Sequence, residues 1–169
     1  ADRVSDAGEE PHHRIHAEIE RHLPVESVCS IDEFACRLMK NEQPPEIALG
    51  IARKMQQGIL DHVGSQIRCS IGLAPNRYLA KVATDLQKPS GLTLLKAEDL
   101  PGRLLSLQLN DLPGIGYNME RRLRMAGIGT MTQLWALEPK KLRQLWRSIW
   151  GERLWYLLRG VDLPEEETK

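Results

Sequence analysis

The sequence predicts an α+β protein: an antiparallel sheet packed on helices over residues 1–106, then a small all-helical domain over 107–163, with 164–169 the start of a linker. Two observations predict this. Short runs rich in β-branched residues alternate with segments of helical period up to Leu107. Beyond Leu107 no strand pattern follows, and short helical stretches are punctuated by Pro113-Gly114, Gly127, Gly129, Pro139, Gly151 and Gly160.

Residues 9–23 read as a helix, because Ile15, Ile19 and Leu23 fall four apart and form one apolar stripe. Pro24 ends it. Residues 25–31 and 34–38 read as a β-hairpin whose bend carries Ser30, Ile31, Asp32 and Glu33. Pro44 and Pro45 open a long helix with the stripe Ile47, Ile51, Met55 and Ile59. Residues 66–73 read as a strand, and Ala74-Pro75-Asn76 as a loop ending in a helix cap. Leu79, Ala80, Val82, Ala83 and Leu86 form the buried face of the next helix, which ends near Lys88 because Pro89 disfavours helical geometry before it. A short strand at 91–95 and a helix at 98–106 complete the first part. In the second part Trp135, Leu142, Leu145, Trp146, Ile149, Trp150, Trp155 and Leu158 supply a small core.

Composition narrows the function classes. The 169 residues are 41% hydrophobic and carry 23 basic and 23 acidic side chains. Disorder throughout is excluded, and no apolar run approaches the roughly twenty residues of a membrane span. Three cysteines without paired spacing argue against a disulfide scaffold or zinc ribbon and for a reducing compartment; Cys29 and Cys69 read as buried and inert. The neutral total hides an asymmetry: residues 1–33 hold nine acidic and three basic groups, residues 109–160 nine basic and four acidic. A basic back half can follow phosphates, although Arg121, Arg122 and Arg124 spread around a helix as solvating residues do.

Three constellations can carry chemistry. Adjacent carboxylates at a bend, Asp32-Glu33, can turn toward one site and share a hard divalent cation; taken alone, such a pair is more often a solvated turn. Lys88, beside Pro89-Ser90-Gly91, can neutralise a phosphate as a point charge, or simply end a helix whose dipole favours a cation there. Leu112-Pro113-Gly114-Ile115-Gly116, a helical run to Met125 and then Gly127-Ile128 have the order of a helix-hairpin-helix, in which Ile115 anchors the turn and successive amides form an anion-binding nest; the alternative is a plain helix–helix turn. His12, His13 and His16 with Glu20 sit at helical spacing but offer too few flanking ligands for a convincing metal site.

Taken in order, these pieces resemble the Y-family (translesion) DNA polymerases. Val28-Cys29-Ser30-Ile31-Asp32-Glu33 resembles that family's palm motif. Ser70-Ile71-Gly72-Leu73-Ala74-Pro75-Asn76-Arg77, Leu79-Ala80-Lys81 and Asp85-Leu86-Gln87-Lys88-Pro89-Ser90-Gly91 resemble its next palm block, and Leu112 to Gly116 with Gly127-Ile128 its thumb hairpin. The resemblance implies a partial catalytic palm over 1–106 and a thumb over 107–163. It also implies template-directed nucleotidyl transfer between primer–template DNA and deoxynucleoside triphosphates with two Mg²⁺ ions. By resemblance Asp32 and Glu33 are catalytic and metal-binding, Lys88 faces the nucleotide, and Gly114, Ile115 and Gly116 hold DNA phosphates without reading sequence. A sliding clamp or other damage-response protein is an implied partner of the parent, and the bacterial cytoplasm or nucleoid the implied location.

Departures from the pattern accompany the match. The family's first palm strand with its aspartate, its fingers and its C-terminal DNA-gripping domain have no counterpart here, so the chain reads as an excised middle that is inactive alone. Phe34-Ala35-Cys36-Arg37-Leu38 differs from the family's usual residues after the acidic pair. The rival readings are a non-catalytic, polymerase-like accessory protein that grips DNA, and a generic DNA-binding module over 107–163 joined to an unrelated domain. An exposed sheet edge adds the expectation of dimerisation.

Overall fold

In the computed structural model, which describes residues 13–30, 33–67, 69–87 and 91–164, the first element is helix α1 over residues 13–20. Its last turn closes through the Leu23 amide on the Ile19 carbonyl at 3.0 Å, just short of Pro24. Strands β1 (Val25–Ser30) and β2 (Glu33–Cys36) pair antiparallel, with Val25 opposite Cys36 and Ser30 opposite Glu33. The expected bend is therefore bracketed by a paired Ser30 and Glu33, while Ile31 and Asp32 lie outside the described residues. Helix α2 (Pro45–His62) begins with proline at its first position, where no amide is needed.

The buried face of α2 differs from the expected stripe. Ala48, Ala52, Met55 and Ile59 are buried, whereas Ile47 is 47% exposed and Ile51 half-buried. The two alanines face inward at the N-terminal end of the helix, so the buried stripe runs one residue round from Ile47 and Ile51. Strand β3 (Ile71–Leu73) is also shorter than expected. After α2 the chain is still turning, with the Ile67 amide on the Gly64 carbonyl at 3.1 Å. Cys69 therefore precedes the strand.

Helix α3 (Arg77–Leu86) starts at its expected Asn76 cap, whose side chain accepts the Leu79 amide at 2.8 Å. Strand β4 (Leu92–Leu94) joins β3 in a second two-stranded sheet. Here the Ile71 amide donates to the Gly91 carbonyl and the Leu95 amide to the Leu73 carbonyl, at 2.9 and 2.8 Å. Both pairs advance together along the chain, so these strands run parallel with α3 as the crossover that parallel pairing requires. The helix expected at 98–106 is replaced by two 3₁₀ turns, Ala97–Asp99 and Gly102–Leu104. Leu100, with ψ of 140°, is extended before Pro101, as the clash with the proline ring demands.

The rest is helical: a 3₁₀ turn Leu109–Asp111, α4 (Tyr117–Met125), α5 (Met131–Trp135), α6 (Pro139–Trp146) and α7 (Ile149–Leu158). At Gly151 the α6 backbone comes so close that a Cβ would collide with the Leu142 carbonyl.

The chain divides into two compact units, Ala1–Ile71 with Lys88–Leu92, and Gly72–Gln87 with Thr93–Lys169. In the first unit, Ile19, Leu23, Met55, Ile59 and Val63 form the core, with Val25, Phe34 and Leu38 against it. In the second, Leu79, Val82 and Ala83 of α3 share one core with Leu112, Ile115, Leu123, Leu134, Leu142, Leu154 and Leu158. All four tryptophans pack against that core, as expected. Leu107 lies inside the second unit: the change of pattern there marks a change of element type, while α3 packs with the helices that follow.

Candidate functional site

The acidic pair comes first in the chain. Its second member, Glu33, opens β2 and pairs with Ser30 of β1. Asp32 lies outside the described residues. Adjacent carboxylates are hard oxygen donors of the kind Mg²⁺ takes, so the donor chemistry fits the implied metal. Among the described residues no group of three or more His, Cys, Asp or Glu side chains is arranged to hold a metal ion. His16 is engaged instead with Glu20 at 3.1 Å, and its ring sits 5.3 Å from that of Phe34; His12 lies outside the described residues.

Lys88 also lies outside the described residues, but the chain that follows it, from Gly91, is tied down in detail. The Gln56 side chain, from α2, donates to the Cys69 and Gly91 carbonyls at 2.9 and 3.0 Å. A single amide thus ties the chain entering β3 to the chain entering β4. Sequence reasoning missed Gln56, since a polar residue on a long helix carries no local signal of a partner 35 positions away.

The glycine-rich corner is fully described. Gly114 has φ of +88°, a left-handed backbone open to glycine and costly for other residues. The turn closes through the Ile115 amide on the Leu112 carbonyl at 3.1 Å, and the Ile115 side chain is buried. Ile115 is therefore the anchor, with its amide already committed within the turn. Gly116 is the N-cap of α4 and carries no side chain to cap the first turn. A Cβ at Gly116 would meet nothing within 4 Å, so the corner is open on that side. The first amides of a helix have no intrahelical partner, and the helix dipole favours an anion there. Tyr117, 76% exposed, and Arg121 lie one turn apart on α4 and share a shallow surface depression with Glu120, Arg124 and Met125. Arg124 is tied back to Glu120 at 3.5 Å, and Arg122 to the Leu145 carbonyl at 3.1 Å.

Cys36 and Cys69 show no sign of activation. Burial, aided by the nearby Glu20 and Glu26 charges, pushes the Cys36 thiol up to about 11, and burial raises Cys69 as well. Both are half-buried in the first unit. The side chain of Cys29 lies outside what is described.

Comparison with known proteins gives this arrangement its class. Residues 5–85 match the impB/mucB/samB family, and residues 110–162 match the DNA polymerase-iota thumb domain. DNA polymerase IV of Methanoculleus marisnigri is 34% identical over 156 residues, which cover 92% of this chain and 42% of that protein. DNA polymerase IV of Moorella thermoacetica is 39% identical over 68% of this chain and 28% of its own length. An insertion ternary complex of Dbh DNA polymerase superposes with a TM-score of 0.77 at 28% identity, covering 92% of this chain and 45% of that one. The chain belongs to the Y family of DNA polymerases. It spans less than half the length of the relatives it matches. No described helix is long and apolar enough to cross a membrane.

Proposed function

We propose that this chain is the latter palm, residues 1–106, and the thumb, residues 107–163, of a translesion DNA polymerase, and that the parent protein carries out template-directed nucleotidyl transfer. The observation that supports this best is the likeness, over 92% of the chain, to a polymerase in an insertion ternary complex. In this reading the substrates are primer–template DNA and deoxynucleoside triphosphates.

Each site residue then has a role set by its chemistry. Asp32 and Glu33 would hold the Mg²⁺ ions, which when bound activate the attacking hydroxyl and stabilise charge on the transferred phosphoryl group. Lys88 neutralises the triphosphate as a point charge. Gly114 and the Gly116 end of α4 hold a DNA phosphate through backbone amides, a contact indifferent to sequence, with Ile115 as the anchor beneath.

The test is primer extension by the parent with Mg²⁺ and four triphosphates. Asp32→Ala is expected to abolish extension while DNA binding persists. Extension at the wild-type rate would sink the catalytic assignment. A wild-type parent that binds DNA but never extends it would point to the accessory role instead. The 169 residues alone are expected to bind DNA and to extend nothing.

A further inference from the structure

We propose that Tyr78 and Trp150 form the seat of the hairpin, and that the Tyr78 hydroxyl is a positioning residue that aims the Gly114 amide at a DNA phosphate. This role rests on the reading of Gly114 to Gly116 as a phosphate site.

Tyr78 lies in the first turn of α3, and its hydroxyl donates to the Pro113 carbonyl at 2.7 Å. The hairpin does not need that bond to close, because Ile115 and Leu112 already close it. What the bond adds is orientation. The Pro113 carbonyl and the Gly114 N–H belong to one planar trans peptide and point in opposite directions. Drawing the carbonyl inward onto Tyr78 therefore turns the Gly114 N–H away from the core. Glycine is the residue whose backbone freedom would otherwise let this peptide turn over.

Trp150 completes the seat. Its ring lies edge-on to Tyr78 with centroids 6.1 Å apart, and is backed by Trp146 at 5.8 Å. Its Cη2 is 2.9 Å from where a Gly114 Cβ would stand. Burial pushes the Tyr78 phenol far above its usual range, so the hydroxyl stays a donor at every working pH. The hairpin is thus held at two successive residues, by a hydrogen bond at Pro113 and by a ring beneath Gly114.

The experiment compares the 169-residue chain with Tyr78→Phe, by anisotropy of a fluorescein-labelled primer–template duplex and by amide NMR. The variant is expected to keep its helical circular dichroism and bind about three- to tenfold more weakly, the scale of one lost hydrogen bond. The slope of log affinity against log salt is expected to stay the same, since no cation is lost. A folded Tyr78→Phe that binds as tightly as wild type overturns the role. The wild-type chain supplies a readout independent of how the variant folds: on saturation with duplex the Gly114 amide resonance is expected to move. If it stays while that of Gly116 shifts, the seat does not aim Gly114 and the proposal fails. If wild type shows no salt-dependent DNA binding, the phosphate-site reading itself fails and takes this role with it.

Discussion

Two residues show how much depends on a single side chain. At Gly114, φ of +88° and the Trp150 ring 2.9 Å from a would-be Cβ act together. Gly114→Ala is expected to cost about 2 kcal/mol, from left-handed backbone strain plus displacement of the ring. Urea unfolding checks this, and an unchanged midpoint would refute it. Glu18 is the second case. It is 4% exposed, with one carboxylate oxygen accepting from His62 at 2.9 Å and Arg21 at 3.3 Å, and the other from His22 at 2.9 Å. Burial raises its pKa, but hydrogen bonds from His22 and His62 and the charges of Arg21 and His62 outweigh it, leaving the group below its ordinary value. A depressed folded-state pKa contributes stability that is present above the unfolded value, about 4.3, and is lost as pH falls through the folded one. Glu18→Gln is expected to lower stability by about 2 kcal/mol at neutral pH and to flatten part of the acid-side decline. Urea midpoints between pH 3 and 7 test it, and an identical pH profile in the variant would rule Glu18 out as the source.

Among the elements, α3 is the one whose start does the most. Asn76 caps the Leu79 amide and also donates to the Leu157 and Val161 carbonyls, both at 2.9 Å. The cap was legible in the sequence, because Asn before an amphipathic run satisfies the orphan amides of a helix start. The two donations were not, since they join residues 81 and 85 positions apart. Asn76→Ala is expected to cost about 2 kcal/mol from the lost cap and two stranded carbonyls. Asn76→Asp should cost at least as much: it keeps the cap acceptor but turns a carboxylate oxygen toward two carbonyls. If Asn76→Asp matched wild type in thermal unfolding, the cap alone would be what matters. Helix α2 shows the opposite lesson. Its start at Pro45 was plain, but Ile47 proved exposed and Ala48 buried, a shift of one position on the helix that an apolar stripe read from sequence does not resolve.

For the whole molecule, the prediction concerns the basic second half. DNA binding by the 169-residue chain is expected to weaken steeply with salt, because phosphate contacts release counterions. Affinity that stays constant between 50 and 200 mM salt, on the order of the range where such loss is large, would argue against a phosphate-tracking surface. Family membership was readable because motif order and spacing survive without any structure. The strand at 66–73, the helix at 98–106 and the grouping of α3 with the later helices were not. Each turns on where the backbone finds its partners: the Gly64 turn takes residues from β3, and Pro101 divides the helix.

By itself the sequence determined the local punctuation and the chemistry on offer: prolines that start and stop helices, an asparagine cap, two adjacent acidic residues, and a glycine corner ahead of a helix. The tertiary structure alone decided which of these are held and by what. Tyr78 reaches Pro113 across 35 residues, and Glu18 reaches His62 across 44. Periodicity and turn chemistry extend over a few residues, so contacts made at such separations leave no local trace and exist only once the two cores have packed.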